Sequence, residues 1–177
     1  MGEYAWGLSK SSLWRLDILT LVILGTQDKV FPRLLEAIEK QIELGNLKGE
    51  VVVQAGSTKF ESKYMKIFDL IPMKQFDELL SKSDLIITHG GVGTILSALR
   101  KDKKVIVVPR LAKYQEHEND HQLEIVDSFS KLGYILPCKD LNELSGVLEQ
   151  VKKFKPKKYV SDNHKMLNLI EDYIDNI

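Results

Sequence analysis

The stretch SDLIITHGGVGTILSALRKDKKVIVVP, residues 83–109, decides the fold of this chain. It holds an apolar run at 85–88, the loop HGGVGT at 89–94, a helical pattern and a second apolar run at 105–108. Short runs rich in Ile and Val are typical of strands that are buried on both faces of a parallel sheet. The stretch therefore predicts a strand, a glycine loop, a helix over residues 94–101 and another strand.

The loop between the two strands contains Gly90, Gly91 and Gly93. Glycine has no Cβ, so the backbone can turn sharply or approach a ligand closely, and the free amides of the next helix point into the same space. This arrangement favours a phosphate or a diphosphate. The loop alone leaves a second interpretation open, in which the glycines only make a tight turn.

Length and charge narrow the class of protein. The 177 residues suit one sizeable domain, and 25 basic against 25 acidic side chains give no general attraction to nucleic acid. Cys138 is the only cysteine, so no intrachain disulfide can form, and a buried thiol in a reducing cytoplasm is expected.

The rest of the chain alternates between strand and helix patterns. The predicted strands cover residues 18–24, 51–54, 85–88, 105–108 and 134–136. The predicted helices cover residues 31–44, 74–81, 94–101, 120–132 and 142–151, and a last amphipathic helix carries Met166, Leu169, Ile170 and Ile174. Alternation of this kind predicts an α/β fold, a Rossmann-like parallel sheet flanked by helices.

Two segments stand apart from this pattern. Residues 1–17 form an N-terminal extension of undecided role, followed by one domain over 18–177, and residues 152–158 (KKFKPKK) are expected to be a solvated linker. Small and polar residues follow three predicted strands, at 25–27, 54–57 and 89–94, and a long polar segment follows a fourth, at 109–122. Ligands of open parallel sheets bind at such strand ends.

Taken in order, these loops resemble the C-terminal, nucleotide-sugar-binding half of glycosyltransferases of the two-Rossmann (GT-B) architecture. The residues that carry the resemblance are Gly25-Thr26, Phe31, Arg33-Leu34, Gln54 and Gly56, residues 83–94, Pro109-Arg110, Glu116 and Asp120-His121-Gln122. The pattern is similar to stand-alone catalytic subunits. These include the small subunit of the two-subunit UDP-N-acetylglucosamine transferase of dolichol-linked oligosaccharide synthesis and its bacterial relatives in capsular and exopolysaccharide synthesis. The resemblance covers residue 18 to the C-terminus.

The resemblance implies that a UDP-sugar lies across the strand ends with its diphosphate against the glycine loop. Backbone amides and the helix dipole would stabilise the leaving group, without an obligatory metal or other cofactor. The implied donor-binding residues are Gly25, Thr26, Gln54, Gly56, His89, Gly90, Gly91, Gly93, Thr94, Ser97, Arg110, Glu116, His121 and Gln122. The implied catalytic residues are His89, Glu116 and His121.

Several of these residues have a plainer interpretation as well. Thr94 either caps its helix or donates to a phosphate, and His89 either orients the loop or reaches the diphosphate. The resemblance implies that Glu116, His121 and Gln122 approach the sugar or the ribose; the plainer interpretation is a solvated helix start with Asp120 as its cap. Many relatives carry an acidic residue for the ribose where this chain has Ser97, so we expect weaker ribose binding or a substitute role for Glu116.

The resemblance also implies partners. A GT-B enzyme needs an acceptor domain, which a membrane-associated subunit would supply together with a polyprenyl-linked saccharide acceptor. The chain is then expected in the cytoplasm, recruited to the membrane face, with residues 1–17 and the last helix as candidate contacts. The function implied is that of the donor-binding catalytic subunit of an inverting, UDP-sugar-dependent glycosyltransferase.

Two other functions stay open at this point. Residues 117–121 (HENDH) match H-E-x-x-H, which on a helix places two histidines for zinc beside a glutamate base, and this predicts a zinc hydrolase. The chain is otherwise a non-catalytic nucleotide-sugar-binding or stimulatory subunit, because the general base in this architecture often lies in the acceptor half. The sequence leaves open which sugar is transferred, to which acceptor, and whether the base is on this chain.

Overall fold

A computed structural model describes residues 18–160 of the chain, so residues 1–17 and the predicted last helix lie outside the described part. The strands are β1 (Leu19–Ile23), β2 (Glu50–Gln54), β3 (Lys66–Phe68), β4 (Leu85–Thr88), β5 (Lys104–Val107) and β6 (Leu136–Pro137). The helices are α1 (Pro32–Glu43), α2 (Met73–Lys82), α3 (Val92–Leu99), α4 (His121–Lys131) and α5 (Leu144–Lys153). Short 3₁₀ turns occupy Ala112–Tyr114 and Leu141–Glu143.

The strands form one sheet in the order β3-β2-β1-β4-β5-β6, and every neighbouring pair is parallel. Val22 in β1 is in register with Val53 on one side and Ile87 on the other. The chain runs outward from β1 to β3 and then crosses back to β4, so the strand order reverses between β1 and β4. Sheets of this type bind ligands beyond the carboxyl ends of the strands at this switch point.

Both faces of the sheet are covered by helices, which explains why its strands read as continuous apolar runs. Alternate residues of β1 enter different clusters: Val22 joins the core beneath α1 and α5, whereas Leu21 and Ile23 join the core beneath α2, α3 and α4. Phe31 and Phe129 are fully buried anchors of the two clusters. The glycine loop is therefore carried by a sheet that is packed on both sides.

The predicted fold class is confirmed, and the departures from prediction are local. The strand β3 was not predicted, because its three residues include Lys66 and form no apolar run. The last strand lies at Leu136–Pro137 rather than 134–136, and α5 begins at Leu144 because a 3₁₀ turn precedes it. The helix α3 begins at Val92, two residues earlier than predicted, since a glycine in a first turn interrupts no helical hydrogen bond.

The segment predicted as a linker is only partly one. Lys152 and Lys153 complete α5, and residues 154–158 have no regular structure. Phe154 and Pro156 are nevertheless half-buried between exposed lysines. Among residues 18–160, no helix combines the length and the apolar character that crossing a membrane requires.

Candidate functional site

The N-terminus of α3 is open at the switch point of the sheet. Gly91 is its N-cap, no side chain caps it, and no acidic residue lies in its first turn. The first helical bond runs from the amide of Ile95 to the carbonyl of Gly91, at 3.1 Å. Within residues 18–160, no acceptor takes up the amides of Val92, Gly93 or Thr94, so three N–H donors are free at the positive end of the helix dipole.

The three glycines of the loop have different surroundings. A Cβ on Gly90 would lie 2.7 Å from the Cβ of Gln122, and a Cβ on Gly91 would lie 2.4 Å from Nε2 of His89. A Cβ on Gly93 would have no atom within 4 Å. Gly90 and Gly91 are thus required by packing, whereas Gly93 borders open space in front of the free amides.

His89 is enclosed by the loops that follow β1 and β4. Its side chain is 8% exposed, and its Nδ1 lies 3.4 Å from the carbonyl oxygen of Ile23 and 3.4 Å from Oγ1 of Thr88. The ring also sits against Gly25, where a Cβ would lie 2.8 Å from its Cε1. Burial is the main cause that lowers the pKa of His89 to about 4; the cation of Arg110 acts in the same direction, and the hydrogen bond with the Ile23 carbonyl opposes the shift. His89 is therefore neutral at pH 7, and its ring contacts the loops that follow β1 and β4.

This low pKa predicts a pH dependence of stability. In the unfolded chain His89 titrates near its model value of 6.5, so below that pH the unfolded state binds the extra proton. Stability should be complete above pH 6.5 and fall as the pH drops toward 4, by roughly 3 kcal/mol in total. Urea unfolding of the wild type and of His89→Gln at several pH values measures this loss. Parallel curves for both proteins between pH 6.5 and 4 would contradict the assignment.

Gln122 joins the loops that follow β4 and β5. It is 2% exposed, and its Oε1 accepts hydrogen bonds from the amides of Gly90 and Arg110, both at 2.9 Å. Two backbone donors fix the orientation of the side-chain amide, so its NH2 group must point the other way. Within residues 18–160 that NH2 group has no hydrogen-bond partner, and it is not among the fully buried polar atoms that lack one. Gln122 thus retains a free donor at the strand ends.

Arg110 is 1% exposed and binds backbone rather than open space. Its guanidinium donates to the carbonyls of Leu24 at 2.5 Å, Lys29 at 2.7 Å and Glu116 at 3.1 Å. Burial lowers the pKa of Arg110, and the Glu116 carboxylate opposes this shift. Arg110 ties the loop after β1 to the loop after β5, and its direct contact with a donor remains a prediction.

Glu116 is also fully engaged by protein atoms. Its carboxylate accepts hydrogen bonds from Nε of Arg33 at 2.5 Å and Nη2 of Arg33 at 2.8 Å. It also accepts one from the amide of Leu111 at 3.1 Å. The Arg33 guanidinium lies between the rings of Phe31 and Tyr114, at 4.9 and 4.6 Å. The sequence showed Arg33 only as part of a pattern, because its partner is 83 residues away. The contact of Glu116 with the sugar stays a prediction, and in this structure the residue anchors the 109–122 loop to α1.

His121 borders an open cavity. The cavity measures about 330 Å³ and is lined by Gln27, Asp28, Lys29, His117, Glu118, Asn119 and His121. Lys29 and Glu118 form an ion pair of 2.5 Å within this lining. Of the three predicted catalytic side chains, His121 is the one that reaches open space at the strand ends, since its side chain is 39% exposed.

The remaining predicted residues are distributed along the same edge. Gln54 is buried and accepts from the amide of Ile71 at 3.2 Å, and Thr26 is exposed in the loop after β1. Of the two interpretations of Thr94, the helix cap is wrong, because α3 begins two residues before it, and donation to a phosphate stays a prediction. Ser97 donates to the carbonyl of Gly93 at 2.8 Å, so its hydroxyl is bound within the helix.

Asp120 occupies the predicted N-cap position of α4, but its side chain does not cap that helix. Its Oδ1 accepts instead from the amide of Ala112 at 2.8 Å. The unpredicted strand β3 brings a further loop to the strand ends, where the amide of Gly56 donates to the carbonyl of Asp69 at 2.8 Å. Leu70 in that loop and Met73 at the start of α2 are exposed apolar side chains that sequence patterns did not single out.

The structure removes the basis of the zinc hypothesis. His117 lies in a bend, and α4 begins only at His121, so the two histidines do not share one helical face. Residues 18–160 contain no group of three His, Cys, Asp or Glu side chains arranged to hold a metal ion. The thiol of Cys138 is 1% exposed as predicted, and burial raises its pKa to about 11.

The strand order and the helices on both faces of the sheet define a Rossmann-like α/β domain. The model of the glycosyltransferase family 28 C-terminal domain matches residues 19–177, and the chain belongs to this family. The UDP-N-acetylglucosamine transferase subunit ALG13 of Debaryomyces hansenii is 30% identical over 98 residues, which are 55% of this chain and 43% of that protein. The chain thus matches less than half the length of this curated relative.

Solved structures confirm the fold. The solution structure of ALG13 has a TM-score of 0.54 and 22% identity, covering 86% of this chain and 94% of that one. The calicheamicin glycosyltransferase CalG4 has a TM-score of 0.55 and 21% identity, covering 79% of this chain and 34% of that one. The aligned 79% of this chain covers 34% of CalG4, which is consistent with the prediction that the domain corresponds to one half of a GT-B architecture.

Proposed function

We propose that this chain is the donor-binding catalytic subunit of a heteromeric, inverting glycosyltransferase. It takes a sugar from a UDP-sugar and transfers it to a polyprenyl-linked saccharide, and a membrane-associated partner subunit supplies the acceptor site at the cytoplasmic face. The observation that carries the proposal is the set of three free amides at Val92, Gly93 and Thr94, beside the open space at Gly93. Membership of glycosyltransferase family 28 supports the sugar-transfer chemistry.

In this proposal the diphosphate lies against the N-terminus of α3. As the bond between the sugar and UDP breaks, negative charge grows on the diphosphate, and the amides and the helix dipole stabilise it without a metal ion. The side-chain NH2 group of Gln122 donates to the bound sugar or diphosphate, since its Oε1 is already occupied. The proposed donor site keeps five further residues around its edge, Gly25, Thr26, Gln54, Gly56 and Ser97.

The roles of the predicted catalytic residues divide by exposure. His89 and Glu116 position the loops, because one is buried and neutral and the other is bound by Arg33. His121 lines the cavity and is the side chain that reaches the sugar. The acceptor hydroxyl attacks the anomeric carbon while UDP departs from the opposite face, and a base must remove the hydroxyl proton. We assign that base to His121 or to the partner subunit.

The first test is calorimetric titration of the purified chain with UDP, with and without EDTA. The variant is Gly93→Val, which fills the space in front of the amides without meeting any atom within 4 Å. We expect roughly tenfold weaker UDP binding, or a greater loss, which corresponds to about 1.4 kcal/mol or more. Gly91→Val is a poorer probe, because its Cβ would lie 2.4 Å from His89.

The matched control is Gly146→Val. Gly146 also lies in the first turn of a helix, α5, with nothing within 4 Å of its Cβ, so the change of helix propensity is the same. The control should bind UDP like the wild type. Equal losses in the two variants, or no UDP binding by the wild type, would overturn the donor-site proposal, and loss of binding with EDTA would overturn its metal independence. A second assay measures the release of UDP from UDP-sugars with and without membranes that contain the partner subunit. Release that requires those membranes indicates a catalytic subunit, and no release in either case indicates a subunit that only binds the donor.

A further inference from the structure

Two short segments concentrate the positive charge of this chain. Residues 100–104 (RKDKK) and 152–158 (KKFKPKK) hold nine of the 25 basic side chains and one of the 25 acidic ones. The formal net charge of +0 therefore combines a strongly basic region with an acidic remainder. We call these two segments together the lysine patch.

Tertiary contacts join the two segments into one surface. Nζ of Lys104 donates to the carbonyls of Val151 at 2.9 Å and Lys152 at 3.1 Å. The amide of Lys157 donates to the carbonyl of Gly133 at 2.9 Å, which holds the second segment against the end of α4. A cleft of about 280 Å³ lies between the segments, and it is lined by Leu99, Asp102, Lys103, Pro156, Lys157 and Lys158.

Most of the charges on the patch face solvent without a counter-ion. Five of these side chains are exposed and form no ion pair with any residue in 18–160; they are Arg100, Lys153, Lys155, Lys157 and Lys158. Lysines in the last turn of a helix commonly stabilise its dipole, and this accounts for Lys153. It does not account for the three exposed lysines beyond the helix, Lys155, Lys157 and Lys158.

We propose that the lysine patch binds an anionic lipid surface. A cluster of four to eight cations at a protein surface is attracted to acidic headgroups, and each lysine strengthens the attraction several-fold. Eight of the nine cations are lysines, which act as point charges suited to such diffuse attraction. Sequence-tolerant nucleic-acid binding would use aromatic stacking, whereas Phe154, the one aromatic residue of these segments, is half-buried.

The patch and the candidate donor site lie at opposite ends of the strands. Lys104 begins β5, whereas the glycine loop follows the last residue of β4, and β4 and β5 are parallel. A membrane held at the patch therefore leaves the free amides of α3 open to a nucleotide-sugar from solution, and the partner subunit of the proposed function would have to bring the acceptor to that end of the sheet. The inference does not rest on the proposed function, since the attraction depends on charge alone.

Vesicle sedimentation of the full chain tests the proposal. The probes are vesicles of neutral phosphatidylcholine and vesicles with about 30 mol% phosphatidylglycerol, at ~0.1 M and ~0.5 M salt. We expect binding to the anionic vesicles that high salt reverses, and little binding to the neutral ones. The triple variant Lys155→Gln, Lys157→Gln, Lys158→Gln should bind the anionic vesicles at least about tenfold more weakly.

The control is a second triple variant, Lys40→Gln, Lys48→Gln, Lys63→Gln, which removes three exposed lysines elsewhere on the chain. It has the same net charge as the patch variant and should bind like the wild type. Three results would each overturn the proposal: no binding of the wild type to anionic vesicles, equal loss in the two variants, or retention of duplex DNA without retention of vesicles. Unchanged UDP affinity in the patch variant would show that the two sites are independent.

Discussion

Replacement of Arg110 by methionine should lower the free energy of unfolding by about 3–5 kcal/mol, because three backbone carbonyls would lose their hydrogen bonds to one charged donor. The carbonyls that would lose their donor are those of Leu24, Lys29 and Glu116. All three lie where the loops after β1 and β5 meet. Methionine keeps roughly the length of the aliphatic stem but lacks the guanidinium, including its contact with the Phe31 ring at 5.2 Å, so the loss measures everything that the guanidinium contributes. Urea unfolding followed by circular dichroism measures the change.

Two further variants make this prediction sharp. Arg100→Met changes an exposed arginine at the end of α3 and should alter stability by less than about 0.5 kcal/mol. Arg110→Lys keeps the charge, but one ammonium group cannot replace a planar fork that reaches separate carbonyls, so a loss of about 2 kcal/mol is expected. If Arg110→Met unfolds at the same urea concentration as Arg100→Met, the guanidinium does not hold the loops together.

Replacement of Gly56 by alanine should cost about 3–4 kcal/mol, the sum of a left-handed backbone and an overpacked contact. Gly56 has a φ of +60°, and a Cβ there would lie 2.4 Å from the carbonyl oxygen of Gly25. The obstacle is backbone, so no side chain can rotate away. Relief requires the loops after β1 and β2 to separate, which should also weaken UDP binding in the proposed donor site.

The control for Gly56→Ala is Gly45→Ala. Gly45 also has a positive φ, +73°, but a Cβ there would have nothing within 4 Å. It should lose only about 1 kcal/mol, the cost of the left-handed conformation, and keep its UDP affinity. Equal losses at the two positions would mean that the contact between Gly56 and Gly25 carries no weight.

The sequence predicted the fold well because strand and helix patterns depend on near neighbours. The apolar run 85–88 matched β4 in full, and five of the six strands were predicted with small shifts. β3 escaped because three residues carry too little pattern, and the start of α3 was placed late because glycine usually breaks helices. The functional loops followed from the same patterns, since the carboxyl ends of parallel strands meet at one edge.

For the candidate site as well, some features follow from the sequence and others only from the tertiary structure. The sequence by itself determined that glycine, histidine and polar residues gather at the ends of β1, β2, β4 and β5, because alternating strands and helices force a parallel sheet. Only the tertiary structure decided that Gly91 accommodates His89 while Gly93 faces open space, and that Glu116 is bound by Arg33. It also decided that residues 100–104 and 152–158 form one basic surface. These contacts join residues that are distant in the chain, so they depend on strand order and loop packing, which local patterns do not encode.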